Sequence, residues 1–68
     1  MAVNYAYKYA IVDETGYCYE VCDTTTNCDG MEGYVRIPEY NEDYLEKYYI
    51  NGAWYEDAEA TIPWSPEN

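Results

Sequence analysis

The sequence has no histidine and no phenylalanine, and it is poor in cations and in aliphatic side chains. Its 68 residues include three Lys and Arg against 14 Asp and Glu, which gives a formal net charge of −11. Affinity for nucleic-acid phosphates comes from Lys and Arg, so this balance all but excludes a nucleic-acid ligand. An anionic membrane surface is disfavoured for the same reason. A basic protein partner remains open, as does charge that serves only solubility.

Residues for nucleophilic and acid–base catalysis are equally scarce. The single serine, Ser65, lies between Trp64 and Pro66, and no glycine-rich phosphate loop is present. Adjacent acids such as Glu42 and Asp43 are typical of a solvated face in an acidic chain. Without a nucleophile–base pair, we expect a protein that is not an enzyme and needs no cofactor.

No segment of the sequence has the pattern of a signal or a membrane span. The first residues lack a basic region followed by an apolar stretch, and no apolar run approaches the roughly 20 residues of a spanning helix. We therefore expect synthesis and initial folding in a cytosol, with no membrane partner.

The three cysteines fit a disulfide framework poorly because their number is odd. Cys18 and Cys22 would share one face of a strand about 13 Å apart, too far to bridge. Cys22 and Cys28 could meet across a loop. Three thiols without histidine are a weak zinc pattern. We expect reduced structural thiols and no metal, and a Cys22–Cys28 bridge stays open as an alternative.

Tyrosine is what the chain has in abundance. Eleven Tyr and two Trp accompany only nine Leu, Ile and Val. Low aliphatic content with high net charge is typical of disorder, but each aromatic ring buries roughly 150–250 Å² and can replace an aliphatic core. We predict one small ordered domain, residues 1–68, whose thin core favours self-association or completion by another protein chain.

Alternating residues predict three strands in the first half. Residues 5–12 and 17–22 alternate with period two and flank a turn at 13–16, so they should form a hairpin in which Gly16 takes a positive φ. A short strand at 34–37 ends at Pro38.

Residues 23–33 are rich in Thr, Asn, Asp and Gly, which predicts a loop. Residues 25–30 look like the front of a calcium-binding loop. The twelfth position of such a loop needs a bidentate glutamate, and Arg36 stands there instead, so we predict no calcium site.

The second half predicts a short helix and a hairpin. Asn41 is a plausible N-cap for a helix near 41–46, with Tyr44 and Leu45 directed inward. The Asn51-Gly52 pair between aromatic runs predicts a type I′ turn. Its register would place Ile50 opposite Ala53, Tyr49 opposite Trp54, Tyr48 opposite Tyr55 and Lys47 opposite Glu56. The fold class is therefore mainly β, a small antiparallel sheet of two hairpins and a short strand.

The tail after residue 57 cannot form a regular central strand, because Pro63 and Pro66 flank Trp64. Trp64 should either fold back onto a sheet or wait for a partner. The aromatic residues that we select as candidates for a partner contact are Tyr5, Tyr7, Tyr9, Trp54 and Trp64.

Three segments carry a family resemblance. They are YAIVDETGYC, YVRIPEYNEDYLEKYY and NGAWYED, and together they span about residues 7–57. This order resembles short tail-module or virion-associated proteins of phages and prophages of Firmicutes and gut bacteria. The resemblance implies a non-enzymatic structural or accessory role through protein–protein contact, and it supplies no catalytic residues. The triple-Thr loop and the Trp64-Pro tail lie outside the pattern.

Two other functions remain as alternatives. An acidic inhibitor that mimics DNA would need carboxylates at phosphate-like spacing, and residues 39–68 carry many acids against Lys47 alone. A small glycan-binding module would use exposed Trp and Tyr, although in so short a chain the same rings are needed for the core. The sequence ranks the tail or virion protein first, the inhibitor second and the glycan binder third.

Overall fold

The computed structural model describes residues 6–66 and shows a mainly β protein. The five strands are β1 (Tyr7–Val12), β2 (Cys18–Thr24), β3 (Tyr34–Arg36), β4 (Tyr48–Ile50) and β5 (Ala53–Tyr55). The helix predicted near 41–46 is a single 3₁₀ turn at Glu42–Tyr44. The predicted fold class is confirmed. The loop predicted from residue 23 begins two residues later, because β2 extends to Thr24.

The strands form two antiparallel sheets that meet at one point. The first sheet has the order β2-β1-β3 and the second is the β4–β5 hairpin. They are joined where Tyr17 pairs with Tyr48. There the Cys18 amide donates to the Lys47 carbonyl, and the Tyr49 amide donates to the Gly16 carbonyl, both at 2.8 Å. The second hairpin thus extends the outer edge of β2.

The turn between β1 and β2 is organised by Asp13 and Gly16. The Asp13 carboxylate accepts hydrogen bonds from the Thr15 amide at 2.8 Å, the Thr15 hydroxyl at 2.6 Å and the Tyr17 amide at 3.1 Å. Gly16 has φ +93°, as predicted, and it is buried. A Cβ at Gly16 would lie 2.5 Å from the carbonyl oxygen of Tyr49. Only glycine fits this close approach of β4.

A bulge in β2 overturns the expected faces of that strand. Val12 pairs with Cys18 and Ile11 pairs with Glu20, which leaves Tyr19 as an extra residue. Such a residue reverses the alternation beyond it. Val21, rather than Cys22, therefore shares a face with Cys18. The prediction that Cys18 and Cys22 lie on one face is wrong, because simple alternation ignores the bulge.

The core lies on one face of the joined sheets. Its buried members are Ala10, Cys18, Val21, Ile37 and Tyr44, and the partly buried residues packed on them are Val12, Val35, Leu45, Trp54 and Trp64. The aliphatic and aromatic members pack together in one layer. Tyr and Trp therefore supply buried apolar surface that the few aliphatic side chains alone do not provide. The prediction that Tyr44 and Leu45 point inward is confirmed.

The second hairpin follows its predicted register. Tyr48 faces Tyr55, Tyr49 faces Trp54, and Ile50 faces Ala53. Asn51 and Gly52 have φ of +52° and +84°, as a type I′ turn requires. The predicted Asn41 cap is also present, since its side chain accepts from the Asp43 amide at 2.9 Å.

The tail folds back onto β5 rather than waiting for a partner. The Trp64 amide donates to the Trp54 carbonyl at 3.0 Å, and Pro63 pairs with Tyr55. The reversal is held by Asp57, whose carboxylate accepts from the amides of Thr61 and Ile62 and from the Thr61 hydroxyl. Pro63 and Trp64 thus occupy the edge next to β5, where the missing amide of proline is tolerated.

Candidate interaction surfaces

The five aromatic residues predicted to touch a partner fall in different environments. Tyr5 lies outside the described residues. Tyr7 is half-buried beneath the Arg36 guanidinium, whose carbon lies 4.9 Å from the ring centroid. Tyr9 has no exposed surface and belongs to the interior, so it offers nothing to a partner. Trp54 and Trp64 are half-buried and lie together.

Tyr9 is held by a group that we call the Tyr9 clasp, formed by Tyr9, Cys28, Asp29 and Arg36. The Tyr9 hydroxyl donates to Asp29 Oδ1 at 2.8 Å and accepts from the Cys28 amide at 2.8 Å. Arg36 Nη1 binds both carboxylate oxygens of Asp29, at 2.9 and 2.7 Å. Asp29, in the loop that resembles a calcium-binding loop, therefore binds Arg36 of the same chain. The loop also covers Tyr9.

The charges of the clasp support one another. The pKa of Asp29 is lowered, first because Tyr9 donates to it and then because Arg36 does. The pKa of Arg36 is raised, chiefly by its hydrogen bond to Asp29. Burial raises the pKa of Tyr9, and the hydrogen bond to Asp29 raises it further. The phenol is therefore neutral at physiological pH, and the clasp is a structural element.

The second aromatic group is the Trp cluster, formed by Tyr44, Tyr49, Trp54 and Trp64. Tyr44 meets Trp54 at 4.9 Å and Trp64 at 5.1 Å between ring centroids, both edge to face. Tyr49 meets Trp54 at 5.0 Å. Lys47 Nζ lies 5.1 Å from the Trp64 centroid. The paired part of the hairpin ends at Tyr48 and Tyr55, one residue short of the predicted Lys47–Glu56 position. The two indoles are fixed in the core layer with part of their surface exposed.

A third aromatic group was not predicted as a contact surface. Tyr17, just before β2, pairs with Tyr48 of β4, Tyr48 pairs with Tyr55 of β5, and Tyr55 pairs with Pro63 of the tail, so the four residues lie side by side. We call Tyr17, Tyr48 and Tyr55 the tyrosine row, with Pro63 at its end. Paired residues share a face, so the row lies opposite Cys18 and the core. The three tyrosines are half-buried, and Pro63 is exposed.

The tyrosine row is accompanied by negative charge. The rings of Tyr17 and Tyr48 lie 5.3 Å apart. The pKa of Tyr17 is raised, first by burial and then by the negative charge of Glu46. Glu46 is exposed, and the turn at 13–16 adds Asp13 and Glu14 near the same end. The two other cations near the sheets are engaged elsewhere, Arg36 with Asp29 and Lys47 with the Trp64 ring.

The described part of the chain offers no assembled centre for catalysis or metal binding. Residues 6–66 enclose no cavity and contain no group of three potential metal ligands. All three cysteines carry free thiols. Burial raises the pKa of Cys18 and of Cys22, which keeps both protonated and weakly nucleophilic at neutral pH. No helix of residues 6–66 is long and apolar enough to cross a membrane.

Comparison of the whole chain with protein-family models, with curated proteins and with solved structures gives no match.

Proposed function

We propose that the protein is a non-enzymatic accessory protein of a phage tail or virion module and acts by protein–protein contact. The observation that carries the contact role is the pair of partly exposed indoles, Trp54 and Trp64, fixed 6.4 Å apart against the buried ring of Tyr44. Tryptophan is enriched among the residues that dominate binding energy, and a rigid ring loses little entropy on binding. The phage setting is supported by the sequence resemblance alone.

An acidic inhibitor of a host DNA-binding protein is the second candidate. Its supporting observation is the surplus of 14 acids over three bases, with Arg36 bound to Asp29 and Lys47 drawn over Trp64. Arg36 and Lys47 are thus each engaged by a group of the same chain, and the acids outnumber the bases. Binding of that kind is electrostatic and weakens steeply with salt.

A pull-down from lysate of phage-infected host cells tests the choice. The immobilised full chain is incubated at low and at high salt, and captured proteins are identified by mass spectrometry. We expect virion proteins that are retained at high salt, because apolar contacts are screened little. The Trp64→Ala variant should lose about tenfold or more of this recovery, whereas Tyr40→Ala, at a 43% exposed tyrosine away from both indoles, should lose little.

The opposite outcome has a distinct signature. Capture of a nuclease or another DNA-binding host protein that is released by salt, with equal recovery by the Trp64→Ala variant, would replace the first candidate with the inhibitor. Thermal unfolding of both variants is the control, since Trp64 also packs on the core.

A further inference from the structure

The tyrosine row is a half-buried aromatic surface that lies outside the core layer. Tyr17, Tyr48 and Tyr55 lie on the face opposite the core and are not part of the core layer. Within the described residues their hydroxyls form no hydrogen bond, and their rings meet no aromatic ring except at the Tyr17–Tyr48 contact. Directly paired cross-strand residues are about 4.5–5.5 Å apart, so the three phenols follow one another along one side of the sheets.

Charge decides which occupant suits this strip. A second copy of the chain would bring another −11 charge against the first, and like charges brought together cost free energy. A cationic segment would instead meet the exposed carboxylate of Glu46, whose amide donates to the carbonyl of Cys18, next to Tyr17, at 2.9 Å. The complementarity therefore favours a basic partner over self-association at this surface.

The chain shows in two places how its rings hold a cation. The Arg36 guanidinium carbon lies 4.9 Å from the Tyr7 centroid and 5.8 Å from the Tyr9 centroid. Lys47 Nζ lies 5.1 Å from the Trp64 centroid. Each distance is within the roughly 6 Å at which a cation is attracted to a ring face. In the tyrosine row the same type of ring has no cation from the described residues over it.

We propose that the tyrosine row is a docking surface for an arginine-bearing segment of a partner protein. The planar guanidinium stacks on the rings of Tyr48 and Tyr55, and Glu46 adds a charge contact at the Tyr17 end. Arginine is favoured over lysine because it is planar and less strongly hydrated, so stacking loses less solvation. This inference rests on the proposed function, which requires a protein partner, and it names the chemistry of a second contact beside the Trp cluster.

The test uses two peptides of equal charge on the full chain. Capped peptides of four Gly-Arg repeats and of four Gly-Lys repeats are titrated into the isotopically labelled protein, and ring signals are followed by NMR. We expect saturable shifts at Tyr17, Tyr48 and Tyr55 and tighter binding of the arginine peptide. Tyr48→Leu and Tyr55→Leu should each weaken it about two- to fivefold. The control Tyr40→Leu should stay within twofold.

Two results would overturn the docking surface. One is equal binding of both peptides that neither leucine variant changes, which would mean attraction to the acidic surface in general. The other is a set of shifts confined to the Trp cluster. If Tyr48→Leu impairs folding, Tyr55→Leu and the shifts of the unsubstituted protein still decide. If the pull-down captures virion proteins through Trp64 but the peptide titration shows no binding to the tyrosine row, the proposed function stands and the docking surface does not. If the titration shows binding to the row but no virion protein is captured, the proposed function falls and the cation-binding surface stands.

Discussion

Tyr9 and the tyrosine row lie on the same side of the joined sheets but differ in burial. Tyr9 is fully buried beneath the loop, with Asp29 and the Cys28 amide on its hydroxyl. Tyr17, Tyr48 and Tyr55 keep part of their surface in solvent. The two regions share one residue type and one side of the sheets. They differ in strand position, since Tyr9 lies within the central strand β1, and in the partners of the hydroxyl group.

The difference shows what allows a tyrosine to be interior. A buried hydroxyl without a partner costs about 1–3 kcal/mol, which can cancel much of what burying the ring contributes. The Tyr9 clasp supplies both a donor and an acceptor. No buried side-chain oxygen or nitrogen within residues 6–66 lacks a partner. Tyr44 avoids the same cost in another way. Its side chain is buried apart from a small exposed fraction, and no described residue bonds to its hydroxyl, so the hydroxyl is the part that reaches the surface.

The largest effect should come from breaking the junction at Gly16, which aligns Tyr17 with Tyr48 in the tyrosine row. The Gly16→Ala variant places a Cβ 2.5 Å from the Tyr49 carbonyl oxygen and forces alanine to φ +93°. We expect a loss of about 2–4 kcal/mol in the free energy of unfolding, from strain and from the broken junction between β2 and β4. Urea unfolding followed by Trp fluorescence measures it.

Gly52→Ala is the matched control for that experiment. Gly52 has φ +84°, but a Cβ there meets nothing within 4 Å, so only the backbone conformation is penalised, by about 1–2 kcal/mol. An equal loss in both variants would show that the approach of β4 to Gly16 is unimportant. Equal losses would also mean that the alignment of the tyrosine row does not depend on the contact between Gly16 and β4.

A smaller effect should follow from removing single hydroxyl groups. Tyr9→Phe leaves the Cys28 amide without its acceptor and Asp29 without one donor. We expect a melting temperature lower by roughly 5–10 °C, as a domain of this size shows when a buried hydrogen-bonded group is lost. Tyr48→Phe removes a hydroxyl with no bond to a described residue and should stay within about 2 °C. Similar shifts in both would refute the comparison.

The sequence predicts the local parts of this fold better than the long-range ones. The Asn51-Gly52 turn, the Asn41 cap and the positive φ of Gly16 depend on residues close in the chain, and all three are confirmed. The faces of β2 were mispredicted because one extra residue, Tyr19, reverses an alternation that otherwise continues. Nothing in YCYEVC marks the bulge, since its position is set by the register with β1 and the approach of β4.

The aromatic surfaces show the same limit. Trp54 opposite Tyr49 follows from a two-residue turn, but the contact of Trp64 with both depends on the Asp57 reversal. Tyr17 lies far from Tyr48 and Tyr55 in sequence, and only the junction at Gly16 aligns them. The pairing of Tyr48 with Tyr55 was the one available signal of the tyrosine row. Tyr9 was a plausible contact because a residue count cannot show that Asp29 reaches its hydroxyl.

The smallest effect, and the most specific to the Tyr9 clasp, is on the acid limb of stability. The pKa of Asp29 is lower in the folded protein than in the unfolded chain, through Tyr9 first and Arg36 next. The unfolded state therefore binds the proton more readily, so the contribution of Asp29 is complete above the unfolded carboxyl pKa, about 3.9, and is lost as the pH falls below it. Asp13 and Asp57 act in the same direction, because hydrogen bonds from Thr15 and Thr61 lower their pKa values.

Urea unfolding from pH 6 to pH 2 measures this effect. The free energy of unfolding should decline most steeply with falling pH for the unsubstituted protein, less steeply for Tyr9→Phe, and least for Asp29→Asn. Parallel curves would mean that the clasp carries no pH-dependent stability and that Tyr9 is retained by ring packing alone.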